Sequence, residues 1–318
     1  MGGILVIIVS QDETGDYRSI QQAIDSINES EQRMIYIKKG IYYEKLMINK
    51  SNLTFIGEES GQTILSFNDH ALKEVDGEPY GTFRSYSCFI DADHLRFTNL
   101  TFENTSGPGK KVGQAIALYV DGDCIQFKHC RFLGNQDTLF TAPLPPQPII
   151  PNSFKGPKEH QPRRVGRHYY ESCFIQGDID FIFGGATAYF DRCVLFSNHL
   201  NENSYITAAS TPKEEPYGYI FQSCQLIGNA NRESVYLGRP WRPFAHVAFL
   251  NCYMGAHIIR EGWDDWGKQN NHQTIQFVEY HNYGPGASLK YRAPYTKIID
   301  DPTHYHRDKV LGSWKPTS

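Results

Sequence analysis

The 318-residue chain has no apolar run long enough to cross a membrane, no low-complexity tract and no surplus of basic residues. Its apolar opening, MGGILVIIVS, carries no positive flank and gives way at once to DETGDYRSI, so it reads as a first strand rather than a secretion signal or a span. On that reading the protein is cytoplasmic if the chain is complete and secreted if a leader has been removed. A net charge of -4 excludes the basic footprint of a nucleic-acid binder, and no membrane partner is expected. The cysteines number seven, an odd count with no CxxC pair, which excludes a disulfide framework and a zinc knuckle and leaves buried reduced thiols. The dense Asp/Glu spacing of a calcium loop is also missing, so no metal is expected.

What the chain has in quantity is aromatic residues, 20 Tyr and 19 Phe, which favour β structure and sugar-facing surfaces. They recur in short apolar segments that end on cysteine: IQFKHCRF, YYESCFI, YFDRCVLF, YIFQSCQLI and AFLNCYM, with LRFTNLTF one rung earlier. The cysteines fall at 130, 173, 193, 224 and 252. Short β-rich units returning at such intervals, with no long helical pattern between them, predict an all-β chain folded as a right-handed parallel β-helix in which the cysteines form an inward column.

The one long spacing, from Cys130 to Cys173, contains residues 142–165, which hold seven of the 17 prolines and read as an inserted loop. Without that loop the spacing is about one coil. A short N-terminal helix is expected where Ile20, Ala23, Ile24 and Ile27 share a face, capping the open end of the solenoid. The whole of 1–318 is thus expected to be a single β-helix domain. A two-sheet β-sandwich would also use short strands, but it predicts hairpins and no fixed column.

Aligning the coils on their cysteines exposes a second match. Cys130-x3-Gly134-x2-Asp137-x2-Phe140 repeats as Cys173-x3-Gly177-x2-Asp180-x2-Phe183. Coils in register lie about 4.8 Å apart, so Asp137 and Asp180 stack within mutual influence, while Asp178 falls out of register. Two carboxylates so placed do not both ionise freely; one becomes a proton donor beside an anion. Aspartates that end strands and satisfy turn amides are the plainer alternative, but DTLF and DFIF are apolar settings where an unpaired carboxylate is costly.

The strings GQAIAL, GNQDTLF, DFIFG and LGRPW, in that order, resemble the signature blocks of the pectin methylesterase (pectinesterase) family. The likeness extends through GDYRSIQQAI, GIYYEKL, GTFRSYS, GWDDWG and YGPGA, nearly the whole chain. It implies a hydrolase that demethylates galacturonate methyl esters of homogalacturonan or its oligomers, using water and no cofactor, and acting as a monomer. Carried over by position, it makes Asp180 the nucleophile and Asp137 the acid that becomes the base. It makes Arg239 the residue that keeps Asp180 ionised, and Gln114 and Gln136 the oxyanion donors. It sets Trp241, Phe183 and Phe83 along the sugar cleft. The proline-rich insertion departs from the plant-like pattern toward a bacterial-like member. Its basic residues Lys155, Lys158, Arg163, Arg164 and Arg167 suggest a cleft wall that touches free galacturonate carboxylates, with a solvated loop as the plainer alternative.

Stacked carboxylates about 5 Å apart also suit a retaining, polygalacturonase-like glycosidase. A β-helix that only binds glycan is the rival without chemistry. Methanol release without chain cleavage separates the esterase from both.

Overall fold

The computed structural model describes residues 5–28 and 33–317; residues 1–4 of the apolar opening lie outside them, and its strand runs Leu5–Val9. Among the described residues the strands form three long parallel sheets of 11, 8 and 7 strands, plus a two-stranded antiparallel ribbon at Glu74–Pro79. Each coil visits the sheets in the same order. Ile125–Lys128 lies in the first sheet, Arg131–Leu133 in the second and Leu139–Thr141 in the third, and Arg167–Glu171 then returns to the first. This is the right-handed parallel β-helix that the repeat predicts.

The coils are held in register by their cores. From the first sheet, Phe55, Phe97, Phe127, Tyr170, Phe190, Phe221 and Phe249 stack ring on ring, with centroids 4.5–5.0 Å apart and interplanar angles of 8–13°. That separation equals the coil spacing, so any slip in register would unstack the whole file. Three residues after each ring, from Phe97 on, comes the column Leu100, Cys130, Cys173, Cys193, Cys224 and Cys252, all buried. Each thiol reaches the carbonyl of the aromatic one coil earlier, for example Cys193 to Tyr170 O at 3.4 Å and Cys224 to Phe190 O at 3.4 Å. A small, weakly donating side chain fits this corner, and all seven cysteines are free and buried.

The corner itself turns on the residue before the column. Asn99, His129, Ser172, Arg192, Ser223, Asn251 and His281 all adopt positive φ, between 45° and 55°. A single left-handed residue bends the chain sharply from the first sheet into the second, and repetition coil after coil makes a ladder of such bends.

The N-terminal cap is shorter than its periodicity suggests, Ile20–Asp25, with Ser19 accepting from Gln22 N at the N-cap. Ile20, Ala23, Ile24 and Ile27 are all buried against the first coil. No described helix is long and apolar enough to cross a membrane.

Candidate active site

Pairing of Leu139 with Ile182 sets the third-sheet strands so that, two residues earlier, Asp137 lies opposite Asp180 on the next coil. Their stacking therefore rests on backbone register. Both residues also adopt the left-handed conformation, with φ of 64° and 51°. Aspartate tolerates that region better than most residues, and a matched pair of such outliers in a cleft marks a shape the surroundings enforce.

The repeated glycine explains how the shape is made. A Cβ on Gly134 would meet the side chain of Thr138, and one on Gly177 would collide with Cβ of Phe181; each is the residue just after the aspartate. Glycine four positions ahead thus clears the space into which the turn folds. Thr138 then locks its own turn, donating from Oγ1 to Gln176 O at 2.8 Å on the neighbouring coil.

The two carboxyl groups have different environments. Arg239, from the strand Val235–Pro240, donates through Nε to Asp180 Oδ1 at 2.9 Å and through Nη2 to Oδ2 at 2.7 Å. Burial raises Asp180 above the ordinary carboxylate value, and the Arg239 guanidinium, with Lys268, offsets part of that rise. Asp137 is equally buried, 7% exposed, but among the described residues no group hydrogen-bonds its carboxyl. Burial first, and the neighbouring Asp180 second, hold it well above the usual carboxylate range. The pair therefore divides into an anion braced by a fork and a neutral acid. Asp178 stays out of the cleft: its Oδ1 accepts from Ile179 N at 2.7 Å, and burial pushes it up to about 6.

Arg239 is itself clamped. Its guanidinium lies 3.8 Å from the ring centre of Tyr205 on one side and 3.8 Å from that of Trp266 on the other. Two aromatic faces leave the cation only its edge for hydrogen bonding, and Asp180 occupies that edge.

A cleft of about 400 Å³ opens over these groups, and all eight expected site residues line it: Asp137, Asp180, Gln114, Gln136, Arg239, Trp241, Phe183 and Phe83. Among the described residues no protein group takes the side-chain amides of Gln114 or Gln136, so their N–H groups remain open to a ligand. The aromatics differ in role. Phe83 and Phe183 are 3% and 4% exposed and form the cleft's packed floor with Phe140 and Phe154, while Trp241 lies half-exposed on top, parallel to Phe83 at 6.4 Å.

Arg242, Trp266 and Lys268 also line the cleft and escaped the sequence reading. The block GWDDWG held the signal for Trp266, since Trp263 bridges to Gly238 and so carries that segment one coil beyond LGRPW.

The loop between Thr141 and Arg167 walls the cleft with Ile149, Ile150, Ser153 and Phe154. Its basic residues correct the expectation that they meet substrate. Lys155 pairs with Glu78, Lys158 with Asp91 and Asp121, Arg164 with Asp93 and Arg167 with Asp123. Arg163 donates to the carbonyls of Pro145, Lys158, Glu159 and Gln161. Stacking the coils sets Asp91 opposite Asp121, with Asp93 and Asp123 just beyond, and the loop's cations neutralise that acidic corner instead of facing the cleft.

A family model described as Pectinesterase matches residues 6–144 and 155–306, leaving 145–154 outside it. The chain is 35% identical over 309 residues to Pectinesterase 31 of Arabidopsis thaliana, covering 93% of this chain and 88% of that one. It is 33% identical to Pectinesterase QRT1 of the same plant, covering 92% and 73%. Among solved structures, a pectin methylesterase in complex with a hexasaccharide superposes with a TM-score of 0.83 at 29% identity, covering 100% of both chains. PemA from Erwinia chrysanthemi gives 0.81 at 28%, covering 100% and 99%, and the carrot enzyme 0.84 at 26%, covering 100% and 98%.

Proposed function

Because the chain belongs to the pectinesterase family, we propose that its demethylation of galacturonate methyl esters runs through Asp180 as nucleophile and Asp137 as acid and then base. The chain is a carboxylic ester hydrolase acting on methyl-esterified pectin. An Asp180 oxygen bonds to the ester carbonyl carbon, and the oxyanion that forms takes hydrogen bonds from the amides of Gln114 and Gln136. Collapse breaks the bond to the methoxy oxygen, which leaves as methanol with the proton of Asp137. Asp137, now a carboxylate, accepts a proton from water as that water attacks the anhydride. Hydrolysis frees the galacturonate and restores both aspartates.

One observation carries the assignment: of two carboxyls in the same register, only Asp180 is held by the Arg239 fork, and among the described residues no group hydrogen-bonds the carboxyl of Asp137. A nucleophile must be an anion with a free lone pair, and an acid must keep its proton until the leaving group forms. The trapped neutral acid is the feature that a binding-only β-helix has no use for. Trp241 supports a pyranose face from above the aromatic floor, and the enzyme acts as a monomer. The bacterial-like placement expected from the insertion finds no support, since the curated relatives named above are plant enzymes.

The test is methanol release from methyl-esterified oligogalacturonides, measured alongside new reducing ends. Methanol alone is expected. Reducing ends would favour the glycosidase, and neither product would overturn catalysis.

A further inference from the structure

Two cations face the cleft with no carboxylate of their own. Lys268 donates from Nζ to the carbonyls of Pro240 at 2.9 Å and Trp241 at 3.2 Å, and it sits 4.3 Å from the ring centre of Trp266. Arg242 donates from Nη1 to the same Trp241 carbonyl at 3.0 Å and from Nη2 to Gln147 O at 2.9 Å. Among the described residues neither forms an ion pair, whereas Arg239, the third cation of the cleft, is saturated by Asp180 and two rings. Two positive groups thus converge on one neutral oxygen, both half-buried. Each costs more to hold there than in water, and burial together with Arg242 brings Lys268 down to about 8.

Such an arrangement is unfavourable in the empty protein and favourable once an anion arrives. With Asp137 neutral and Asp180 balanced by Arg239, the cleft keeps the charge of Arg242 and Lys268 uncompensated. The substrate offers one matching group, the carboxylate of a galacturonate that carries no methyl ester. We propose that Arg242 and Lys268 form a carboxylate subsite which holds a free galacturonate unit beside the unit being demethylated. Their place flanks Trp241, the ring that supports the sugar, and so falls within one cleft with Asp180. The insertion serves this subsite indirectly: Gln147, within the segment 145–154 that lies outside the family model, fixes the guanidinium of Arg242. This inference rests on the esterase reading above.

The experiment compares the enzyme with the Arg242→Gln/Lys268→Met double variant on two trigalacturonides, one fully methyl-esterified and one bearing a single methyl ester between free carboxylates. The ratio of kcat/KM for the partly free substrate over the full ester is expected to fall on the order of tenfold or more, as loss of charge-assisted hydrogen bonds implies. Calorimetry with fully de-esterified trigalacturonate gives a second reading that needs no turnover. Its Kd should weaken by a similar factor in the double variant, while Arg242→Lys and Lys268→Arg, which keep the charge, largely restore it. An unchanged ratio with unchanged Kd would overturn the subsite, as would an equal loss on both substrates. Should the double variant fail to fold, the single conservative variants and the salt dependence of wild-type trigalacturonate binding decide: binding that does not weaken from 50 mM to 500 mM salt, which shortens the screening length about threefold, sinks the proposal. If the esterase reading itself fails, methanol release is absent from the wild type while trigalacturonate binding is still measurable.

Discussion

Asp137 and Asp180 face one another from adjacent coils, and both hold that position in the left-handed backbone region, at φ of 64° and 51°. The two share backbone geometry and differ in partner, so their replacement by asparagine, which also accepts that conformation, separates chemistry from fold.

Asp137→Asn and Asp180→Asn are each expected to lower kcat for methanol release on the order of 10²–10⁴-fold or more. Their stabilities should move in opposite directions. A carboxyl whose folded pKa is raised stabilises most below its unfolded value and loses that contribution as pH rises through the folded one. At neutral pH Asp137 is therefore a burden, and Asp137→Asn should raise Tm by roughly 2 °C for each 1 kcal/mol relieved. Asp180→Asn leaves the buried Arg239 unpaired and should lower Tm by several times that amount. Thermal scans at pH 7 check both signs; equal shifts would refute the division of roles.

The pH profile of kcat/KM should be bell-shaped, with its acid limb set by loss of the Asp180 anion and its alkaline limb by loss of the Asp137 proton, both belonging to the coupled pair. Arg239 pulls Asp180 down, so weakening the fork by Arg239→Lys raises Asp180 and moves the acid limb to higher pH. A limb that stays in place would mean that Arg239 does not govern the nucleophile.

Tyr205 touches Arg239 and does not line the cleft, which makes it a positioning residue with a clean test. Tyr205→Leu removes one face of the clamp, worth about 1 kcal/mol, and should lower kcat severalfold with little change in KM while shifting the acid limb in the same direction as Arg239→Lys. Tyr205→Phe keeps the ring and should behave as wild type. A loss in Tyr205→Phe would show that the hydroxyl, not the face, matters.

The loop's attachment is expected to fail in acid. Arg164 and Arg167 hold Asp93 and Asp123 below the ordinary carboxylate range. Depressed carboxylates contribute above their unfolded pKa, about 3.9, and lose that contribution as pH falls toward the folded value. Limited proteolysis within 145–154 should accelerate below about pH 4 before the solenoid's far-ultraviolet signal changes. Lys158→Met should bring the same cleavage on at neutral pH, because Asp91 and Asp121 then stack without the ion pairs that Lys158 makes to both.

The cysteine column was readable because its side chains repeat, and with it came the coil order and the register of Asp137 with Asp180. The left-handed ladder beside it was not. Asn99, His129, Ser172 and Arg192 share a φ and little chemistry, since the bend is enforced by neighbouring coils more than by residue type. The same limit misdirected the reading of the insertion. Its lysines and arginines were visible, but Asp91 and Asp121, or Asp93 and Asp123, become neighbours only when coils stack. Arg242 and Lys268 were missed for the converse reason: lone cations in loop segments gain meaning only from the carbonyl of Trp241 between them.

From Phe97 to Cys252 the corner between the first and second sheets is closed by one left-handed residue and a packed column side chain, whereas the earlier coil crosses it with the five residues between Gly57 and Thr63. The corner between the third sheet and the next coil has absorbed the whole excursion from Thr141 to Arg167 without disturbing the strand pairing on either side. In the coils that carry the two aspartates the tight corner keeps one length, and the edge that has been lengthened is the one that borders the cleft. Variation by insertion can therefore reshape what the cleft accepts while leaving the spacing of its two aspartates fixed, so that divergence in specificity and constancy of chemistry follow from the same pattern of corners.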